Sequence, residues 1–276
     1  MIKDIVVNLP VDTKHDVTTD FAASMAGAFN AHLAAIAFVH RPVVPGSLLD
    51  GATAGIIQAQ RTAAKNAAQA AIAKFEETAR RNALSAESRW LDSDYAGIAD
   101  LFARIARRFD ISVVAQAEPD TLGPERMIAE AALFDSGRPV LIVPYIQKTP
   151  LKLGRVMACW DGSRSAARAI ADALPLLARA KTVEIFTATG EAGKSTELEG
   201  SDIAHHLARH GLKVEVERQP AGDVDIASII LSRAADNGAD LIVMGGYGHS
   251  RLREFVLGGA TRGILSSMTL PVLMSH

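Results

Sequence analysis

Short apolar runs alternate with longer amphipathic stretches along the first half of the chain. The apolar runs predict strands at residues 5–9, 33–39, 87–91, 111–115 and 139–143. The stretches between them predict helices at about residues 17–30, 56–81, 95–108 and 124–134. Strands that alternate with helices in this way favour a mostly parallel sheet covered on both faces.

The second half repeats the same order of elements. Its strands are predicted at residues 156–159, 183–187, 214–217, 241–244 and 272–274. Its helices are predicted at about residues 165–178, 201–210, 224–236 and 260–267. Two local matches support a duplication: Asp110-Ile111-Ser112-Val113 corresponds to Asp240-Leu241-Ile242-Val243, and Pro139-Val140-Leu141 to Pro271-Val272-Leu273.

The predicted fold class is therefore α/β, with two tandem doubly wound parallel-sheet (Rossmann-like) domains. We place the first domain at residues 1–146 and the second at residues 154–276, joined by the linker Gln147-Lys148-Thr149-Pro150. A chain of 276 residues is long enough for two domains that each bury a core.

Composition and charge exclude several classes of protein. A net charge of -2 and a pI near 6.4 supply no basic field for nucleic acid. The N-terminus lacks a signal-peptide pattern, and no apolar run approaches the roughly 20 residues of a membrane helix. We expect a cytoplasmic protein that binds neither nucleic acid nor membrane. The single cysteine, Cys159, lies in an apolar strand, where a buried and inert thiol is expected.

A glycine-rich run follows the fourth strand of the second half. Gly245 and Gly248 end that strand, and Gly258 and Gly259 open the last predicted helix. Glycines let a loop turn its N–H groups toward an anion, and a helix N-terminus adds unpaired N–H groups and a positive dipole end. The pattern predicts a nucleotide polyphosphate site, although a plain turn from strand to helix would use the same glycines.

A second candidate segment, Asp161-Gly162-Ser163, follows the first strand of the same half. In doubly wound sheets, ligands bind outside the carboxyl ends of the strands, where neighbouring connections diverge. The Asp161 carboxylate could hold ribose hydroxyls or a metal ion there. The alternative is that Asp161 only caps the following helix.

Taken together, these segments make the second half resemble the universal stress protein family, and the whole chain looks like its tandem form. The resemblance rests on the Asp161-Gly162-Ser163 turn, on the GxxG of Gly245 to Gly248, and on the nine-residue spacer before Gly258. It implies an ATP or ADP site, with Mg²⁺ left open as a companion ion, and no catalytic residues. The nucleotide-binding residues that it implies are Asp161, Gly162, Ser163, Met244, Gly245, Gly248, Gly258, Gly259, Ala260 and Thr261.

Within that set, the resemblance implies roles for several residues. Asp161 contacts ribose or a metal, Gly245 lies against ribose and the first phosphate, and the residues around Gly258 wrap the outer phosphates. The chain departs from the family at Gly259, where Ser or Thr usually donates a side-chain hydrogen bond. A hydrogen bond to a charged group is worth about 1.5–3 kcal/mol, so its loss weakens binding by roughly tenfold or more.

The first domain carries no such pattern. Its fourth strand runs into Gln116-Ala117-Glu118-Pro119-Asp120, where two carboxylates repel phosphate and a proline offers no N–H. Its first strand ends in Leu9-Pro10-Val11-Asp12 in place of an Asp-Gly-Ser turn. We expect at most one nucleotide per chain.

Three weaker signals compete with this site. The segment 188–195 fits a relaxed phosphate-loop pattern, but no helix begins directly behind it, which favours a polar loop. His205, His206 and His210 lie on a predicted helix, where a solvated face is favoured over metal binding. His249, Arg251 and Arg253 lie in the glycine spacer, where steering of phosphate and simple solvation are equally open.

The predicted function is an adenine nucleotide-binding module with a stress-response or regulatory role. Its rivals are a slow ATPase or autophosphorylating enzyme that uses Asp161 and a divalent metal, and an interaction protein with a vestigial site. In the resembled family the last strand of each sheet joins domains two-fold, which implies a pseudo-two-fold pair within the chain. We also expect the chain to form a homodimer.

Overall fold

A computed structural model shows an α/β protein in which strands and helices alternate. The structure describes residues 1–11, 16–41, 51–95, 97–118, 123–189, 200–222, 224–246 and 259–276. The strands are β1 (Asp4–Asn8), β2 (His32–Arg41), β3 (Ala86–Asp94), β4 (Ile111–Ala115), β5 (Val140–Val143), β6 (Arg155–Cys159), β7 (Thr182–Thr189), β8 (Val214–Pro220), β9 (Leu241–Gly245) and β10 (Val272–Ser275). The helices are α1 (Val17–Phe29), α2 (Gly51–Arg81), α3 (Gly97–Ala106), α4 (Glu125–Asp135), α5 (Arg164–Leu177), α6 (Gly200–Arg209), α7 (Ile226–Asp236) and α8 (Gly259–Ser267).

The chain packs into two compact units. The N-terminal unit consists of residues 2–115 and the segment that ends at Arg138. Its strands lie in the order β3-β2-β1-β4, and every described pair is parallel. In this unit β1 lies between β2 and β4, because Ile5 is paired with Leu33 on one side and with Ile111 on the other.

The C-terminal unit consists of residues 139–276 together with Met1 and the segment that begins at Gln116. Its strands lie in the order β5-β10-β9-β6-β7-β8. The pairs from β10 to β8 are parallel, whereas β5 runs antiparallel to β10, with Ile142 opposite Val272. The strand that precedes the predicted linker therefore pairs within the C-terminal unit.

The central strands of both units are buried on both faces. Ile5, Val6 and Val7 of β1 have no exposed surface, and neither do the residues 241–243 of β9. Strands covered on both sides need apolar side chains at every position, which is the continuous pattern seen in the sequence. The predicted α/β class with a mostly parallel sheet is confirmed.

Most helices lie within one or two residues of their predicted limits, and the largest difference is at the start of α2. α2 begins at Gly51 instead of residue 56. The sequence did not indicate this earlier start, because residues 51–55 are small and show no apolar periodicity. α3 runs from Gly97 to Ala106 instead of from residue 95 to residue 108. Among the helices that the structure describes, none combines the length and the apolar character needed to cross a bilayer.

Candidate nucleotide site at the carboxyl ends of β6 and β9

The connections of the C-terminal unit diverge between β6 and β9. These strands are neighbours, with Val156 paired to Leu241 and Ala158 to Val243. From β6 the chain continues through α5 to β7 on one side, and from β9 it continues to α8 and β10 on the other. Ligands of doubly wound folds bind at such a point, outside the carboxyl ends of the strands.

The first segment at this edge is a tight turn between β6 and α5. The Asp161 Oδ1 atom accepts a hydrogen bond from Ser163 N at 2.9 Å, and Gly162 has a φ of 74°, which favours glycine. Ser163 is the N-cap of α5 and accepts from Ala166 N at 3.1 Å. Ser163, and not Asp161, therefore caps the helix. The Asp161 side chain shapes the turn and is exposed at the edge.

The second segment, the end of β9, lies directly against α5. A Cβ atom on Gly245 would come within 2.5 Å of Ala166 N and 2.6 Å of the Ser165 carbonyl carbon. Any side chain at this position would require the strand or the helix to move. Gly245 therefore lets β9 end beside the first turn of α5, and this contact brings the Asp161 turn and the start of the glycine loop together.

The third segment is the first turn of α8. Gly259 is exposed, Ala260 is half-buried, and Thr261 is buried with 3% of its surface exposed. A Cβ atom on Gly259 would meet no atom of the described residues within 4 Å. Thus Gly259, unlike Gly245, lies where a larger residue would fit.

The peptide that follows Gly245 is held by the end of β10. Gly246 N donates to Ser275 O at 2.8 Å, and His276 Nδ1 donates to Gly246 O at 3.0 Å. The Ser275 hydroxyl donates in turn to the Asp172 carboxylate on α5 at 3.0 Å. Sequence reasoning missed these residues, because only the order of the strands places β10 beside β9.

The remainder of the predicted site lies outside the described residues. This applies to Gly248 and Gly258, and also to His249, Arg251 and Arg253. Most of the alternative phosphate-loop pattern, residues 190–195, lies outside them as well. Met244 is described and is buried in β9, with 5% of its surface exposed.

Comparison with known proteins places the C-terminal unit in a family. The model of the Universal stress protein family matches residues 152–276, which include every described segment of the candidate site. These residues belong to the universal stress protein family.

Individual relatives agree with this assignment. A universal stress protein of Synechocystis sp. is 40% identical over 67 residues, and this match covers 24% of the chain and 22% of that protein. The crystal structure of a universal stress protein from Archaeoglobus fulgidus matches 98% of this chain and 95% of its own, with a TM-score of 0.70 and 16% identity. A functionally unknown protein from Pseudomonas aeruginosa covers 99% of this chain and 92% of its own, with a TM-score of 0.62 and 19% identity. At these identities, the solved structures support the fold.

The N-terminal unit has other residues at the positions that form the universal stress protein turn. Leu9 N donates to the second strand of its unit at 2.8 Å, as Trp160 N does in the C-terminal unit. Leu9 therefore corresponds to Trp160, which makes Pro10 the counterpart of Asp161. A proline has neither the carboxylate nor the N–H that this position could offer a ligand.

The glycine of β9 is also replaced in the N-terminal unit. The pairing of Val7 with Val113 corresponds to that of Ala158 with Val243, so the counterpart of Gly245 is Ala115. The helix that follows β1 begins only at Val17, after the longer segment 9–16. This unit thus has a different connection at the edge where the universal stress protein unit has its Asp-Gly-Ser turn.

Cys159 ends β6 beside the candidate site. Burial raises the pKa of its thiol to about 12, and the negative charges of Asp161 and Glu184 act in the same direction. The side chain is half-buried instead of fully buried as predicted, and a thiol with a pKa raised in this way is a poor nucleophile at neutral pH. Within the part of the chain that the structure describes, no three His, Cys, Asp or Glu residues group as a metal site.

Proposed function

We propose that this protein is an adenine nucleotide-binding module of the universal stress protein type, with one site per chain in its C-terminal unit and a regulatory role. The observation that carries the proposal is the contact of Gly245 with the first turn of α5. It unites, at one sheet edge, the two sequence segments that the family pattern requires. The choice of adenine, and of ATP or ADP, rests on the family resemblance.

The Asp161 turn is suited to bind the sugar of the nucleotide, and the start of α8 is suited to bind its phosphates. Asp161 is a carboxylate at an exposed turn, so it would repel phosphate unless a cation lay between them. Ribose hydroxyls are donors that a carboxylate accepts directly, and Mg²⁺ is the alternative partner. We therefore expect the Asp161 carboxylate to bind the ribose hydroxyls, or a metal ion that also binds the phosphates.

The phosphates would be held by backbone groups. α8 begins at Gly259, so Gly259 lies at the positive end of the helix dipole, where backbone N–H groups are suited to an anion. Gly259 is exposed and open, so an anion can approach its backbone closely. Gly248 and Gly258 are predicted to complete this cradle.

A single nucleotide per chain follows from the differences between the units. Pro10 and Ala115 stand where the C-terminal unit has Asp161 and Gly245, so the N-terminal unit offers neither the carboxylate nor the glycine. The tandem organisation, homodimer formation and a cytoplasmic location stay predictions.

Calorimetric titration of the full chain with ATP and ADP tests the proposal. Asp161→Ala removes the ribose or metal contact and is expected to weaken ATP binding by roughly tenfold or more, as for other hydrogen bonds to a charged group. The matched control is Asp236→Ala, which removes an exposed carboxylate at the far end of α7 and should leave the affinity unchanged.

Two results would contradict the proposal: absence of ATP and ADP binding to the wild-type chain at millimolar ligand, or equal weakening by the two substitutions. Labelled ATP in the same samples separates binding from chemistry. A binding module leaves the nucleotide intact over a single-turnover time course, whereas turnover that disappears in Asp161→Ala would favour an enzyme.

A further inference from the structure

A pair of histidine rings lies at the C-terminal end of α6, a helix that contributes no residue to the candidate nucleotide site; His206 is in its last turn, and His210 directly follows its last residue, Arg209. The ring centroids of His206 and His210 lie 4.9 Å apart at an interplanar angle of 71°. Both residues are exposed. The two imidazoles therefore meet on the helix surface instead of packing into the core.

Their spacing is the one that lets two helical side chains bind the same ion. Residues four apart lie one above the other on a helix, and imidazole nitrogens at this spacing are ligands of Zn²⁺ and related metals. Neutral imidazole suits Zn²⁺, Cu²⁺ and Ni²⁺ better than the oxygen-seeking Mg²⁺ or Ca²⁺. We propose that His206 and His210 form a surface site for a divalent transition metal of the zinc class, with water completing the coordination.

The surroundings of the pair contain charges of both signs. His206 lies in the last turn of α6 and His210 directly after it, where the helix dipole favours a cation. Asp202 lies one turn before His206 and adds a negative charge, whereas Arg209 and Lys213 oppose a second cation. Since the described residues supply two imidazoles and no third ligand, the site binds exchangeable metal and not a permanent structural ion.

His205 offers a matched control within the same helix. It is exposed and has the same chemistry as its neighbour, but it lies about 100° around the helix from His206 and has no histidine four residues away. Its removal lowers the histidine content of the protein by the same amount without breaking the pair.

The experiment is calorimetric titration of the untagged full chain with zinc chloride at pH 7.5, for the wild type, His206→Ala, His210→Ala and His205→Ala. We expect saturable binding to the wild type and to His205→Ala, and a loss of affinity of roughly tenfold or more in each of the other two. ATP titration of the same variants should be unchanged, so the outcome is independent of the proposed nucleotide site.

Three results would overturn the inference. The first is no binding to the wild type up to about 1 mM Zn²⁺, the weak limit of a specific site. The second is binding that survives in both His206→Ala and His210→Ala. The third is an equal loss of affinity in His205→Ala. Because all three histidines are exposed, circular dichroism is expected to show native folding in every variant.

Discussion

Two glycines of the candidate site are glycine for different reasons. A side chain on Gly245 would collide with backbone atoms of α5, whereas a side chain on Gly259 would meet no described atom within 4 Å. Steric space therefore does not require glycine at position 259, where the family pattern has Ser or Thr. The glycine removes a hydroxyl donor from the helix start and leaves space for one.

Gly259→Ser is expected to tighten ATP binding by roughly tenfold, because a hydroxyl at the start of α8 adds a hydrogen bond to a charged phosphate. Calorimetry of the wild type and the variant measures this change. Gly259→Ala is the control, since it fills the same space without a donor. Equal affinities of Gly259→Ser and Gly259→Ala would show that no phosphate lies there.

At the scale of elements, the site depends on how closely β9 and α5 approach. Gly245→Ala places a methyl group within 2.5 Å of Ala166 N, so the strand and the helix must separate. We expect a loss of about 1–3 kcal/mol in the free energy of unfolding, typical of overpacking, together with weaker ATP binding. Urea unfolding measures the stability. Gly259→Ala is the control for this variant as well, and the same stability in both would contradict the close contact.

The strands and helices were largely predictable because apolar periodicity is a local signal. Contacts between distant residues were not. Glu184 interrupts the apolar run of β7, and nothing near it in the sequence identifies its partner. In the structure it is buried, and it accepts hydrogen bonds from Arg233 at 2.9 and 3.0 Å across 49 positions of the chain.

The same distinction applies to the candidate site. The Asp161 turn and the open helix start at Gly259 were visible as motifs, because each is formed by consecutive residues. The hydrogen bonds of Gly246 with Ser275 and His276 could not be predicted in this way, because they depend on β10 lying beside β9 in the sheet. The sequence offers Asp161 as an alternative cap of α5, but in the structure the Ser163 side chain accepts the capping hydrogen bond from Ala166 N.

Across the whole chain, two units of similar strand order differ at the edge where a ligand would bind. Each unit has a point where its connections diverge, between β1 and β4 or between β6 and β9. The family match, residues 152–276, covers only residues of the C-terminal unit, and at that edge the N-terminal unit has Pro10 and Ala115 in place of Asp161 and Gly245. We therefore propose that the full chain binds a single nucleotide.

The stoichiometry of ATP binding distinguishes one site per chain from two. Equilibrium dialysis of the full chain against labelled ATP, with the protein concentration well above the dissociation constant, counts the nucleotides per chain. We expect one nucleotide per chain in the wild type, and a marked loss of bound ATP in Asp161→Ala at the same ligand concentration. Two nucleotides per chain, or one that Asp161→Ala leaves in place, would contradict it.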